Sequence, residues 1–152
     1  MILLLALLIG VVAGLRAMMA PAAVAFAARF GGLALTSTPL AFMGYAWTPW
    51  IFGIAALGEL VTDQLPKTPS RKVPPQFGAR IVLGGLSGGC IGAAHAMLTG
   101  GIVAGVAGAV IGTLGGSAVR AKMAAAFRSD RPAALIEDAV AIVLAVAVVC
   151  AA

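Results

Sequence analysis

Charge is what this sequence has least of. Only 10% of its 152 residues are Asp, Glu, Lys or Arg, and five are acidic; soluble domains carry about 25% charged residues. A soluble fold of this length has too large a surface to cover with so few polar side chains. Aromatic residues are scarce too, with two Trp, one Tyr and six Phe, so bulky rings do not fill the interior. There is one histidine, His95, and there are two cysteines, Cys90 and Cys150. Each cysteine lies in an apolar run without a ligand-type neighbour, which argues against a Cys/His metal site or a disulfide framework and reads as a small buried hydrophobe. No Ser-His-Asp, zinc-protease or phosphate-loop pattern is present, and nothing implies a cofactor. The net charge of +5 comes without a basic groove interleaved with aromatics, so nucleic acid is not an expected partner.

What is present is apolar: 62% of the chain is hydrophobic, and 20 residues are glycine. The expected fold is all-α, a single polytopic transmembrane helical domain over residues 1–152 with the lipid bilayer as its partner. A helix needs about 20 apolar residues to cross the hydrocarbon core. Five stretches approach that: Ile2–Phe30 (interrupted by Arg16 and Pro21), Pro39–Val61, Phe77–Leu98, Gly101–Val119 and Pro132–Ala151. The first has no basic region ahead of it and exceeds leader length, so it reads as a retained helix.

Eight of the ten basic residues fall in two clusters, Lys67, Arg71, Lys72 and Arg80, then Arg120, Lys122, Arg128 and Arg131. Excess Lys and Arg mark cytoplasmic loops, which places loops 64–80 and 120–131 on the cytoplasmic side of a multi-pass inner (plasma) membrane protein. Four prolines within residues 66–75 argue against a helix in the first loop. Five spans put the N-terminus in the cytoplasm and leave Arg29 on the outer side, against the trend. The alternative is six segments and an external N-terminus, with a short or re-entrant helix within Gly31–Trp50 starting at Ser37-Thr38-Pro39 or Thr48-Pro49. Tyr45, Trp47 and Trp50 suit an interfacial belt.

Glycines recur at three- and four-residue spacing: Gly10 and Gly14; Gly84, Gly88 and Gly92; Gly85 and Gly89; Gly101, Gly105, Gly108, Gly112 and Gly116. Such faces let helix backbones approach closely in lipid, and a homo-oligomer built through them is expected, since so short a chain has few helices with which to enclose a pathway. Residues 13–22 also resemble residues 117–126, and Ala55–Glu59 resembles Ala133–Glu137. In the five-span arrangement the two halves run in opposite directions, so they form a candidate inverted repeat, a plan that recurs in transporters. Alanine is common enough here to produce such matches by chance.

Charges inside apolar segments are costly and tend to face an interior or a water-filled cavity. Arg16 lies fifteen residues into an apolar run ahead of Pro21; it either snorkels to an interface or supplies a counter-charge beside a broken helix. Glu59 and Asp63 share one helix face and have four open readings: holding a cation, relaying protons, pairing with Arg16 or Arg80, or lying solvated at the interface. Glu137 and Asp138 follow Pro132 closely, where the helix dipole alone favours acids. His95 reads as a hydrogen-bonded packing residue whose titration range also suits proton coupling.

The series Gly14-Leu15-Arg16-Ala17 with Pro21, Glu59-x-x-x-Asp63-x-Leu65-Pro66-x-x-Pro69-x-Arg71, Arg80 with a glycine-rich hairpin, and Glu137-Asp138 resembles a family of small, uncharacterised bacterial inner-membrane proteins, a domain of unknown function. The resemblance spans most of the chain and implies a bacterial membrane location without an activity.

Three functions fit these residues. The first is a small transporter or channel for a solute or ion, with Arg16, Glu59, Asp63, Arg80, His95, Glu137 and Asp138 as the polar intramembrane site. The second is a membrane enzyme acting on a lipid phosphate at the cytoplasmic face. There Glu59 and Asp63 are weak candidates for Mg²⁺, and Arg71, Lys72 and Arg80 hold the phosphate. The third is a structural or accessory protein in which acids and arginines neutralise one another.

Overall fold

The computed structural model describes residues 1–63 and 73–152. Six α-helices are formed among them: α1 (Ile2–Leu15), α2 (Met19–Phe26), α3 (Thr48–Thr62), α4 (Pro74–Ala94), α5 (Leu98–Phe127) and α6 (Asp130–Ala151). A π-helical turn, Ala27–Gly31, extends α2, and a 3₁₀ turn, Ala41–Gly44, precedes α3. The described residues form no strand. Helices α4, α5 and α6 are long and apolar enough to cross a membrane; α1, α2 with its π turn, and α3 are apolar but shorter.

The expected five helices are therefore six, and the difference arises at Arg16. Ile2–Phe30 is not one helix, because Arg16 adopts an extended backbone (φ −137°, ψ 110°). Pro21 does not make the break. It falls in the first turn of α2, where its missing N–H costs no intrahelical bond. Between Gly31 and Trp50 the chain makes turns in place of a full extra helix. Thr38 donates to the Leu35 carbonyl and accepts from the Leu40 amide, the 3₁₀ turn follows, and α3 starts at Thr48 with Pro49 in its first turn.

The basic loops also need correction. Residues 120–127 are not a loop but the last two turns of α5, a run of Ala, Lys, Met and Arg with high helix propensity. The reversal into α6 takes only Arg128, in the left-handed region (φ 52°), and Ser129. Of loop 64–80, residues 64–72 lie outside the described residues, and Pro74–Arg80 is the start of α4. Pro74 and Pro75 open that helix, since first-turn amides need no intrahelical acceptor.

Glycine contacts fix the helix directions. Gly10 meets Gly105, and Gly14 meets Gly112, so α1 and α5 run parallel. Gly84 meets Gly105 while Gly92 meets Gly101, so α4 runs antiparallel to α5. Chain reversal at Arg128–Ser129, with Arg120 bonded to Glu137, sets α6 antiparallel to α5 as well. Helix α2 then turns back. Glu59, near the end of α3, bonds the amides at the start of α2, whereas Phe26, at the far end of α2, meets Trp50 at the start of α3. Ala28 lies against Gly44, only four residues from Leu40, which rests beside Gly89 high on α4. Helices α1 and α2 thus form a hairpin whose tip is Arg16-Ala17-Met18. Both chain termini lie at one end of the bundle; the hairpin tip, Asp63 and the α5–α6 turn face the other.

The interior is built on backbone contact. A methyl group at Gly10, Gly101, Gly105, Gly108 or Gly112 would land inside a carbonyl of a neighbouring helix, so α1, α4 and α5 approach as closely as glycine allows. These glycines are therefore taken up within the chain and are not free to join copies. Gly115, in contrast, has open space where a side chain would go. Around this centre pack Leu5, Ile9, Val24, Met43, Ile91 and Val148. The outward faces are apolar too: Trp50, Ile51, Ile54, Leu57 and Val61 form an exposed helical stripe on α3, as do Leu135, Val140, Val143 and Val146 on α6. Bare apolar stripes on this scale match a hydrocarbon solvent and not water.

Candidate functional site at the hairpin tip

Breaking a helix inside a bundle frees carbonyls at the end of α1 and amides at the start of α2, and each must find a partner. Two charged side chains supply them. The Glu59 carboxylate accepts from both tip amides, Ala17 N–H through Oε1 and Met18 N–H through Oε2, each at 2.8 Å. Its negative charge therefore sits at the positive end of α2. The Arg80 guanidinium does the converse for α1, donating to the carbonyls of Gly14 at 2.8 Å and Leu15 at 2.9 Å. It also stands 3.5 Å from Glu59 Oε1. Thr113 on α5 adds a hydroxyl, 3.3 Å from the Gly14 carbonyl and 2.8 Å from that of Ala109.

Arg16 itself is wholly buried, at 0% exposed, and is the largest such side chain among the described residues. It does not snorkel. Its guanidinium pairs with Asp63 at the end of α3 and with Asp138 on α6. The tip is thereby tied to α3, α4 and α6, and braced by α5. A second cluster lies one step along α6. Arg120 bonds Asp130 through Nε at 3.0 Å and Nη2 at 2.5 Å, and Glu137 through Nη1 at 3.3 Å. All five acidic residues of the chain thus pair with three arginines: Arg16, Arg80 and Arg120.

Of the seven residues expected to form the polar site, Arg16, Glu59, Asp63, Arg80 and Asp138 meet at the tip, and Glu137 is adjacent through Arg120. His95 does not join them. It follows the last turn of α4 at the opposite end, exposed, with Nδ1 3.1 Å from the Ile91 carbonyl, so it has the expected hydrogen bond but is not packed in the core and lies apart from the tip. Cys150 is exposed, unlike Cys90. Glu59 and Asp63, the weak Mg²⁺ candidates, are turned to the tip amides and to Arg16, and no group of three His, Cys, Asp or Glu among the described residues could hold a metal ion. Thr113 and Arg120 were missed. Thr113 gave no signal beyond lying next to Gly112 on a small-residue face, and Arg120 reads as loop charge until α5 is seen to continue through it. The two repeat-like segments differ in structure, since the helix breaks at Arg16 and is continuous at Arg120.

No family model, curated protein or solved structure matches the chain. Fold and site define a class: an all-α protein of membrane-spanning composition, carrying a broken helical hairpin whose tip is held by buried ion pairs.

Proposed function

We propose that this chain is a multi-pass protein of a bacterial inner membrane, of the small uncharacterised family that its motifs resemble, and that it moves a small solute or ion. Its moving part is the α1–α2 hairpin and its basic end faces the cytoplasm. The observation that carries this reading is the latch at the tip. Non-helical backbone inside a membrane protein is tolerated where it is buried in protein or lines a cavity, and broken helices of this kind surround transporter sites. Glu59 and Arg80 cap the broken backbone, but a permanent scaffold has no need of the further Arg16–Asp63–Asp138 cluster, because apolar residues of similar volume are often as stable. Ion pairs can exchange partners, so they suit an element with two positions. Copies would associate through the outward faces of α3 and α6, since the buried glycines are occupied.

A structural role is the second reading, favoured by the pairing of every acid with an arginine. One experiment separates the two. Purified protein is reconstituted on a solid-supported membrane and currents are recorded on jumps of proton, sodium, acetate and phosphate concentration. The transport reading expects a transient current for at least one jump, lost in Glu59→Gln and Asp63→Asn with folding intact by circular dichroism. Silence under every jump, or currents unchanged in both variants, would favour the scaffold. The lipid-phosphate enzyme gains no support, because Glu59 and Asp63 are committed elsewhere.

A further inference from the structure

Each acid in the chain pairs with one of three arginines at the tip and in the neighbouring cluster, and three other bases near the α5–α6 turn have no counter-charge among the described residues. Lys122 on the last turns of α5, Arg128 at the reversal and Arg131 in the first turn of α6 are all exposed. None of the three has an ion-pair or hydrogen-bond partner among the described residues. Asp130, the one acid among them in sequence, is turned to Arg120. Helix α5 is about 45 Å long at 1.5 Å per residue, against a hydrocarbon core of about 30 Å, so its basic end projects past the apolar layer. Phe127 is exposed directly before Arg128, and an exposed apolar ring beside bases suits a membrane–water interface.

From this we infer that the α5–α6 turn is a docking surface for anionic phospholipid headgroups of the surrounding leaflet, with Lys122, Arg128 and Arg131 as the phosphate-facing residues. A membrane protein meets that partner at all times, and the charges are complementary. Among the described residues the acids of that end are turned to arginines: Asp130, though exposed, bonds Arg120, as does Glu137, and Asp63 and Asp138 face buried Arg16. The surface is independent of what the hairpin does: headgroup binding would hold for a scaffold as for a transporter.

The test uses the full chain in nanodiscs of phosphatidylcholine containing a few per cent of spin-labelled phosphatidylglycerol or, in parallel, spin-labelled phosphatidylcholine. The motionally restricted fraction is read by electron spin resonance. The expected result is a preference for phosphatidylglycerol that falls as salt is raised. Removing each base should reduce it by up to about fivefold, the factor that corresponds to about 1 kcal/mol per basic residue near an anionic surface. Lys122→Gln/Arg128→Gln/Arg131→Gln should abolish the preference, while Arg29→Gln, at the opposite end, should leave it intact. These side chains are exposed and have no partner among the described residues, so the triple variant is expected to fold; its circular dichroism and melting temperature check that. Equal restriction of both lipids in the native protein overturns the proposal. So does a preference that survives the triple substitution, or one erased by low-millimolar inorganic phosphate, which would assign the surface to a free anion.

Discussion

A buried guanidinium such as that of Arg16 is tolerated only because two carboxylates face it. Replacing a buried pair with apolar residues is often harmless, but removing one partner strands the other charge, at about 3–5 kcal/mol. Arg16→Ala is therefore expected to destabilise the protein by that order, measured by chemical unfolding in micelles, because Asp63 and Asp138 both lose the Arg16 guanidinium. Asp130→Asn should cost about 1 kcal/mol or less, as for an exposed ion pair, since Asp130 is 60% exposed against 16% for Arg120. A result in which both variants are equally stable would mean that Arg16 is hydrated. Glu59 offers a finer comparison. Glu59→Gln keeps one acceptor for the tip amides, whereas Glu59→Leu leaves both amides unpaired. Leaving a buried polar group unsatisfied costs about 1–3 kcal/mol, so Leu should be the worse by that margin. Arg16 was legible because charge within an apolar run stands out, and Glu59 and Asp63 because their spacing puts them on one helix face; Arg80 reads as a candidate but also counts with the basic loop. Which acid meets which arginine was not, since that depends on where the chain turns.

At the scale of the helix, glycine has two roles here that one substitution distinguishes. Gly105→Ala drives a methyl group into the Gly84 carbonyl, separating α4 from α5, and should sharply lower the unfolding midpoint. Gly115→Ala meets nothing within 4 Å and should be neutral or stabilising by up to about 1 kcal/mol, the propensity difference between the two residues. Equal effects would show that α5 packs on a different face. Helices α4, α5 and α6 could be read from apolar length alone. Their boundaries were missed where local chemistry works against composition: Pro74 and Pro75 start a helix, and the alanine-rich run after Arg120 continues one despite its charge. The spacing of Gly101, Gly105, Gly108 and Gly112 marked a close-packed face, but not that the partners lie within the same chain. The hairpin's mobility can be tested in the same frame. A Cβ at Gly44 would stand 3.7 Å from that of Ala28, inside the disulfide range of about 3.5–4.5 Å. In a Cys150→Ser background, Ala28→Cys/Gly44→Cys should cross-link on oxidation and abolish solute-dependent currents, with recovery on reduction. Undiminished currents in the cross-linked protein would mean that this end of α2 stays still.

For the whole molecule the account turns on one reversal, at Arg16. Composition establishes a helical bundle suited to lipid, yet it does not distinguish five alternating segments from six, because Ile2–Phe30 is long enough for a single span and the break comes from tertiary partners at Glu59 and Arg80. The two arrangements differ in one global property. With six segments, both termini share one end of the bundle and the α5–α6 turn lies at the other; with five, the termini are on opposite sides. The direct measurement is labelling by a membrane-impermeant maleimide in sealed, oriented vesicles. Three single-site proteins are compared: native Cys150, a cysteine inserted after Met1 with Cys150→Ser, and Ser129→Cys with Cys150→Ser. Buried Cys90 serves as an internal silent site. The hairpin account predicts that the two terminal cysteines label from the same face and residue 129 from the opposite one. Terminal cysteines that label from opposite faces would contradict it, and with it the latch on which the proposed function rests.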